Sequence, residues 1–291
     1  MQRPDLSRID PEILAYIEFL EKKVGARANA VIGKEAALDL SAERNSEPLP
    51  AEQESNISII TVSHAGMGKR TLRHLYTRQH RGGMGVFGLD IDLPDYPVLL
   101  ASTEENQNLL FFTNRARVFR QPATIISAAG VFARGNLIQE RFSLEPDETI
   151  VTVLPEQAKG YVALVSESGR LRCLRHHLFG VNMRPGTGLY NYNEFGQLAG
   201  ACWTPGDAEI FLVTRQGIGI RFSEKAISPQ GDQAIRLGKD DKVAGIASIF
   251  DDSNVFMIGA DGRGALRAMS GFAANKSPGG SGKIAFKSNK V

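Results

Sequence analysis

The sequence lacks the features that mark secreted and membrane proteins. Its two cysteines, Cys173 and Cys202, are too few for a disulfide framework or a cysteine-based zinc site, so we expect two reduced thiols in the core. No apolar run approaches the roughly 20 residues that span a bilayer. The opening residues Met-Gln-Arg-Pro-Asp are not followed by the apolar segment of a signal peptide. These absences predict a cytoplasmic protein.

The residue patterns of common catalytic and cofactor sites are also missing. Residues 66–71 and 279–284 resemble phosphate loops, but neither has the Ser or Thr that must directly follow the lysine. His176 and His177 are adjacent, yet no further metal ligands accompany them, and we interpret them as part of a basic loop. No Ser-His-Asp or Cys-His arrangement is present. The sequence therefore predicts a protein that is not an enzyme and that binds no cofactor or metal.

Charge is divided unevenly along the chain. Residues 1–55 contain 7 Lys/Arg against 11 Asp/Glu, whereas residues 56–291 contain 27 against 21. An acidic leader thus precedes a basic body. Such a body is compatible with a polyanionic partner but does not require one.

Helical periodicity is confined to an N-terminal segment, residues 1–40. Residues 11–24 predict a short helix, because Asp10 can cap it and Pro11 suits the first helical position. Its apolar residues recur at helical spacing. They are Ile13, Ile17, Leu20 and Val24. This stripe is too short for a coiled coil and predicts a docking face against the body or a partner. The polar, proline-containing residues 41–55 predict a flexible linker.

From residue 56 onward, short β-branched and aromatic runs alternate with turn residues, which is typical of many short strands. One sequence motif recurs five times: an apolar run, a polar turn, then a strand that carries Arg or Lys. The runs are anchored at Ile60, Leu109, Tyr161, Ile210 and Val255, with spacings of 49, 52, 49 and 45 residues. A β-rich repeat of roughly 50 residues has the length of a propeller blade. The pattern predicts an all-β, propeller-like body of about five four-stranded blades over residues 56–291.

The first repeat also contains the segment Gln79-His80-Arg81-Gly82-Gly83-Met84-Gly85. It resembles the signature Gln-Arg-Arg-Gly-Gly-Lys-Gly of the A subunit of DNA gyrase, and five of seven positions agree. The body as a whole resembles the C-terminal domains of the A subunits of DNA gyrase and topoisomerase IV. The resemblance also includes the recurring strand motif and the repeat length, and it covers residues 56–291. It implies a β-pinwheel whose basic rim bends DNA, with this box on an outer loop of the first blade that touches the DNA backbone.

The resemblance implies that the matching positions contact DNA. These are Gln79, Arg81, Gly82, Gly83 and Gly85. Glycines let the main chain approach phosphates, and the basic side chains supply charge. His80 is also placed in the site, although it and Met84 replace two basic residues of the signature, so we expect weaker wrapping. In the family, the same polypeptide also has a long breakage-reunion domain with a nucleophilic tyrosine. Only about 55 residues precede the blades here, and the chain is expected to be a stand-alone relative or a fragment.

The recurring strand supplies further candidate nucleic-acid contacts, on the expectation that its cations occupy equivalent places on successive blades. These cations are Lys69, Arg70, Arg117, Arg120, Arg170, Arg172, Arg221 and Arg267. Residues 184–188 and 277–283 occupy the place of the box in the third and fifth repeats, which adds Arg184 and Lys283. A rim of such charges can track a duplex through its phosphates. The alternative is that they are ordinary solvated strand-edge charges.

These observations predict a non-catalytic protein that binds and bends duplex DNA with little sequence preference, cytoplasmic and associated with the bacterial nucleoid. Type IIA topoisomerase subunits, or another protein, are candidate partners of the N-terminal helix. The alternative function is a propeller-type scaffold for protein interactions that has lost DNA wrapping. The weakened box favours the scaffold, and the basic body favours DNA binding.

Overall fold

The structure is a computed structural model that describes residues 53–76, 86, 88–92, 94–260 and 262–287. Residues Glu52–Val291 form one structural unit, separate from Met1–Ala51. The predicted N-terminal helical segment (1–40) and all but the last three residues of the predicted linker (41–55) lie outside the described residues. The division into segment, linker and body therefore stays a prediction.

Each of the first four repeats supplies a hairpin of strands a and b, followed by a strand c. The a strands are β1 (Ile57–Ser63), β4 (Asn108–Thr113), β8 (Tyr161–Ser166) and β12 (Glu209–Thr214). The b strands are β2 (Met67–Leu72), β5 (Arg117–Pro122), β9 (Arg170–Arg175) and β13 (Ile218–Ser223). The c strands are β3 (Pro97–Glu104), β7 (Ile150–Pro155), β11 (Leu198–Thr204) and β15 (Val243–Ile249). The fifth repeat supplies the hairpin β16 (Asn254–Ile258) and β17 (Gly264–Ala268), with no strand c within the described chain.

A two-residue strand d completes each of the first four sheets, and it comes from the repeat that follows. These strands are β6 (Asn136–Leu137), β10 (Thr187–Gly188), β14 (Asp232–Gln233) and β18 (Lys283–Ile284). Every four-stranded sheet therefore has the antiparallel order c-a-b-d. We call the segments that carry the d strands latch loops. They are residues 123–149, 176–197, 224–242 and 269–287.

Helical structure is sparse in the part of the chain that the structure describes. One four-residue helix, α1 (Tyr192–Phe195), lies in the second latch loop. Short 3-10 turns follow the b strands. They are Arg73–Leu75, Ala123–Ile125, His176–Phe179, Glu224–Ala226 and Met269–Gly271, and one more lies at Gln139–Arg141. None of the described helices is long and apolar enough to cross a membrane.

Contacts between neighbouring sheets show which edge of each sheet lies at the centre of the array of blades. Successive c strands pack on one another, β3 on β7, β7 on β11 and β11 on β15. The c strands therefore line the centre, and the d strands at the opposite edge of each sheet lie on the perimeter. Strand b and the latch loops are consequently the parts of each blade nearest the perimeter.

The apolar runs of the a strands are buried on both faces, because each middle sheet is packed between two others. Leu109 and Phe111 of β4 lie in the core shared with the first blade, whereas Leu110 and Phe112 lie in the core shared with the third. Two-sided burial explains why these strands are continuous apolar runs rather than alternating ones. The cores lie between neighbouring sheets, as in a propeller.

The latches approach the neighbouring blade so closely that one turn requires glycine. Gly217 has φ +77°, and its carbonyl accepts the N–H groups of Ala285 and Phe286 at 2.9 and 3.1 Å. A Cβ on Gly217 would lie 2.0 Å from the carbonyl oxygen of Phe286. Both the left-handed conformation and this contact exclude other residues.

The all-β, propeller-like fold is confirmed, but the expectation of five four-stranded blades requires a correction. The described residues form four four-stranded sheets and one two-stranded sheet, β16–β17. Counting apolar runs detects the hairpins only, whereas strand d of each blade comes from the following repeat. On β16, Met257 is buried against the fourth blade, but Phe256 is 64% exposed and Ile258 is 66% exposed.

Candidate nucleic-acid interface

The box that carries the sequence resemblance falls outside the described residues. Its six candidate contact residues are Gln79, His80, Arg81, Gly82, Gly83 and Gly85. The structure describes the chain up to Tyr76, directly after the 3-10 turn that follows β2, and resumes at Val86. Assignment of these six residues to DNA contact therefore stays a prediction.

The strand register corrects the expectation that the eight strand cations occupy equivalent places. Only Arg70, Arg120 and Arg221 share one position in strand b. Each pairs with the third of the five residues of strand a that pair with strand b. Cys173 and Leu266 hold this position in the third and fifth repeats. Because neighbouring residues of a strand point to opposite faces, a shift of one residue moves a cation to the other side of the sheet.

The remaining strand cations fall on other register positions. Lys69 and Arg172 share the position before that of Arg70, since they lie opposite Thr61 and Leu164. Arg117 and Arg170 both pair with the second residue of a d strand. Arg267 lies opposite Val255. The eight cations therefore do not form one continuous row.

Arg70, Arg120 and Arg221 are each paired with carboxylates inside the protein. Arg70 is 6% exposed and lies 3.3 Å from Glu105. Arg120 forms a bidentate contact with Glu156 at 2.9 and 2.8 Å. Such forked pairs hold a guanidinium firmly in one orientation. A DNA phosphate would have to displace these partners.

Arg221 is the most completely enclosed of these arginines, with its side chain 5% exposed. It contacts the carboxylates of Glu209 and Asp251 and donates to the carbonyls of Met269 and Phe272. Burial opposes its charge, but hydrogen bonds to Asp251 and Glu209 outweigh burial and raise the pKa of Arg221. It ties the fourth blade to the latch loop of the fifth repeat.

Lys69 is fully buried, at 0% exposure. Its ammonium donates to the carbonyl of Gly130 at 2.8 Å and to the carbonyl of Val131. Burial lowers the pKa of Lys69, and the nearby carboxylate of Asp90 partly offsets that effect. The side chain therefore anchors the first latch loop rather than facing solvent.

The four other strand arginines also have partners within the protein. Arg117 contacts the buried carboxylate of Glu148 at 2.7 Å, and Arg170 contacts Glu194 at 2.8 Å. Arg172 donates to the carbonyls of Pro229 and Leu189 at 3.2 and 3.0 Å. Arg267 donates to the carbonyl of Ala285 at 3.1 Å and lies over the ring of Phe272. These contacts join strands, turns and latches.

Arg184 and Lys283 differ from the strand cations, because both are exposed and neither forms an ion pair with any described residue. Both lie on latch loops, Arg184 just before β10 and Lys283 in β18. The box-equivalent segments 184–188 and 277–283 are thus confirmed as outer-edge segments, and their backbones also form the latches.

Six further exposed cations lie on latch loops without an ion pair to a described residue, and the sequence pattern did not single them out. They are Arg141, Lys225, Arg236, Lys239, Lys276 and Lys287. None of them lies in the repeated strand motif. Their shared feature is position after a b strand, which becomes informative only once the d strands are known to lie on the perimeter.

A cleft of about 480 Å³ opens beside β9, where Cys173 replaces the arginine found in three other repeats. Its buried carboxylate, Glu224, accepts the N–H of Ala208 at 3.0 Å and the hydroxyl of Thr204. No cluster of His, Cys, Asp and Glu suited to a metal occurs among the described residues. The carboxylate is committed to structural hydrogen bonds.

The two cysteines are free thiols, as expected. Burial, with a smaller contribution from Glu224, raises the pKa of Cys173 to about 12, and burial likewise raises the pKa of Cys202 to about 12. Because the thiolate is the reactive form, both thiols should react with Ellman's reagent at about pH 8 at least about 100-fold more slowly in the folded than in the unfolded protein. Absorbance at matched reagent concentration, with and without urea, measures this ratio. Equal rates in the two states would contradict the burial of these thiols.

Comparison with known proteins identifies the architecture. The family described as DNA gyrase C-terminal domain, beta-propeller, matches residues 58–96, 107–155 and 208–249. The A subunit of DNA gyrase from Clostridium acetobutylicum is 30% identical over 186 residues, which are 63% of this chain and 22% of that protein. The A subunit of DNA gyrase from Mycobacterium leprae is 26% identical over 282 residues, which are 89% of this chain and 22% of that protein. The chain thus spans about a fifth of the length of these curated relatives.

Solved structures agree in fold. A structure of the DNA gyrase A C-terminal domain matches with a TM-score of 0.66 and 18% identity, covering 78% of this chain and 76% of that one. The C-terminal domain of DNA topoisomerase IV matches with a TM-score of 0.57 and 20% identity, covering 80% of this chain and 73% of that one. The resemblance that the sequence predicts is therefore confirmed, and the body of this chain is similar in sequence and in fold to the C-terminal β-propeller domain of DNA gyrase A.

Proposed function

We propose that the body binds duplex DNA with little sequence preference and curves it along the perimeter of the blades. The supporting observation is a set of exposed latch-loop cations that form no ion pair with described residues. The set consists of Arg141, Arg184, Lys225, Arg236, Lys239, Lys276, Lys283 and Lys287. Their positions on successive latch loops follow the edge around which a duplex would bend.

The chemistry of these residues suits the DNA backbone rather than the bases. Lys and Arg that replace condensed counterions give affinity without sequence readout. The latch loop of the fifth repeat, residues 269–287, contains Lys276, Lys283 and Lys287 and no Asp or Glu. A phosphate approaching this loop therefore meets no carboxylate of the same segment.

The predicted contact residues fall into two groups, direct phosphate contacts and residues that hold the blades and latch loops in place. Arg184 and Lys283 are retained as direct phosphate contacts, and the box residues are retained on the family relationship. Lys69, Arg70, Arg120 and Arg221 are assigned to holding the blades and latches in place, because their charged groups already bond to carbonyls or carboxylates. The interface is thus displaced outward from strand b to the latch loops.

We further propose that the protein performs no chemical turnover and that it acts in the cytoplasm at the nucleoid. A type IIA topoisomerase subunit, engaged by the N-terminal segment, is the proposed protein partner. Relationship to a C-terminal domain of DNA gyrase A supports these assignments. The breakage-reunion chemistry of such enzymes resides in a different part of that protein.

Titration with a fluorescent duplex at two salt concentrations tests the proposal. If about four latch cations contact phosphates, Kd should rise about 100-fold between about 50 and 200 mM salt, because each contact contributes about 0.9 to the logarithmic salt slope. A scrambled duplex of equal length should bind equally well. No binding at the lower salt, or a Kd indifferent to salt, would contradict the proposal.

The fifth hairpin favours the alternative, a protein-interaction scaffold. Phe256, Ile258 and Leu266 are 64%, 66% and 68% exposed on the hairpin β16–β17. Apolar side chains gathered on one short element mark a contact with another protein surface. The duplex titration separates the two functions, since a pure scaffold would give no salt-dependent DNA binding.

A further inference from the structure

Two neighbouring latch loops carry the same five-residue pattern, Gly-Val-x-x-Arg. It occurs at residues 130–134 as Gly-Val-Phe-Ala-Arg and at residues 180–184 as Gly-Val-Asn-Met-Arg. Both copies are closed by the same turn hydrogen bond. The N–H of Ala133 donates to the carbonyl of Gly130 at 3.2 Å, and the N–H of Met183 donates to the carbonyl of Gly180 at 3.0 Å. We call these two segments the tip turns.

Each tip turn exposes an apolar side chain at one of its two central positions, the third residue of the first turn and the second residue of the second turn. Phe132 is 68% exposed and Val181 is 79% exposed. Turn apices are ordinarily occupied by Gly, Asn, Asp, Ser or Pro, which suit the turn conformation and water. An aromatic and a β-branched side chain facing solvent within matched turns therefore need a reason outside the folding of the turns themselves.

Both turns are fixed to the blades rather than free to collapse onto them. The first turn is anchored by the buried ammonium of Lys69 in β2, which donates to the carbonyls of Gly130 and Val131. Its flank is paired with β2, since the N–H of Ala129 donates to the carbonyl of Arg70 at 2.9 Å. In the second, the N–H of Gly186 donates to the carbonyl of Val118 in β5 at 2.9 Å, and the carbonyl of Arg184 accepts the hydroxyl of Thr187 at 2.6 Å.

An exposed arginine follows each apex. The guanidinium of Arg184 forms no ion pair with a described residue, and that of Arg134 lies 2.6 Å from Asp92. Both partners of this last pair are exposed, at 56% and 81%, so a phosphate can compete for Arg134 because exposed ion pairs contribute little stability. Each tip turn thus presents an apolar group and an available cation side by side at the perimeter.

We propose that the tip turns are contact points for duplex DNA, in which Phe132 and Val181 pack against deoxyribose at the groove edge while Arg134 and Arg184 bind the adjoining phosphates. This rests on the proposed function and adds to it a part of the affinity that salt does not screen. The backbone of a duplex alternates apolar sugar faces with phosphates, which matches an apolar group next to a cation. Apolar contact depends on buried area and not on released counterions.

The salt dependence of binding separates the two kinds of contact. In the double variant Phe132→Ala, Val181→Ala, Kd should rise about 10-fold at every salt concentration, the effect of losing roughly one buried apolar side chain, while the logarithmic salt slope stays unchanged. In Arg184→Gln, the slope should instead fall by about 0.9. The matched control is Phe256→Ala, Ile258→Ala, which removes equally exposed apolar groups from the fifth hairpin, and its Kd should not change.

Three outcomes would overturn the inference. The first is that the double variant Phe132→Ala, Val181→Ala binds the duplex like the unaltered protein. The second is that the logarithmic salt slope of the double variant changes, instead of its Kd rising by the same factor at every salt concentration. The third is an equal loss in the fifth-hairpin control, which would indicate a general effect of surface hydrophobicity. In each case the salt-dependent binding of the unaltered protein leaves the proposed function standing. If the unaltered protein does not bind at about 50 mM salt, both are overturned together. Thermal unfolding of each variant, expected to match the unaltered protein, verifies that the blades remain folded.

Discussion

Replacement of Arg221 by methionine is expected to lower the free energy of unfolding by about 3 kcal/mol, the largest stability effect among the strand cations. The side chain is 5% exposed and bonds to two carboxylates and two carbonyls. Methionine fills a similar volume but provides no donor. The carbonyls of Met269 and Phe272 would then be left without the partner that joins the fourth blade to the following latch loop.

Urea unfolding followed by far-UV circular dichroism measures this loss. Arg184→Met is the matched control, because it makes the same substitution at an exposed site without an ion pair among the described residues. Its free energy of unfolding should stay within about 0.5 kcal/mol of the unaltered protein. A loss below about 1 kcal/mol in Arg221→Met would show that the buried contacts contribute little, and would reopen Arg221 as a DNA contact.

The sequence predicted the hairpins well, because their signal is local. Apolar runs such as residues 109–112 are buried from both sides, so their composition alone marks them as strands between two sheets. The blade count failed for a nonlocal reason. Strands as short as β6 and β18 have two residues each and carry no periodicity of their own. They exist only because the preceding blade offers a free edge.

The candidate site was predicted in part, and the error has one physical origin. Recurrence of arginine in strand b is genuine, but its partners lie far along the chain. Glu105 for Arg70 and Glu156 for Arg120 are 35 and 36 residues away. Sequence reveals a charge and not whether another residue neutralises it. Arg184 and Lys283 were found because the box defined a position within the repeat, whereas Lys225 and Arg236 match no repeated motif.

The cations of strand b and those of the latch loops therefore have different roles. A cation near the core must be neutralised because an unpaired buried charge is costly, so the arginines of strand b serve cohesion between blades. Exposed cations on the latch loops carry no such obligation, and most of them form no ion pair with a described residue. The latch loops therefore combine both tasks, since their backbone closes the blade and their side chains face outward.

The triple variant Arg184→Gln, Lys276→Gln, Lys283→Gln is expected to weaken duplex binding by about 100- to 1,000-fold at about 0.1 M salt and to reduce the logarithmic salt slope by about 2.7. Three lost phosphate contacts remove three released counterions, and near 1 M salt, where this contribution vanishes, the variant and the unaltered protein should converge. Fluorescence anisotropy over a series of salt concentrations measures both quantities.

The matched control removes exposed charge outside the latch loops. Lys159 is exposed and precedes the a strand β8. Arg215 is exposed in the turn between β12 and β13, where it lies 2.9 Å from Glu167. The double variant Lys159→Gln, Arg215→Gln should retain the salt slope of the unaltered protein. If it loses about 1.8 in slope, as two phosphate contacts would, binding follows overall charge rather than a path along the latch loops. Convergence of the triple variant at high salt together with an unchanged control would place the duplex on the outer edge of the blades, because only there are the three substituted cations found.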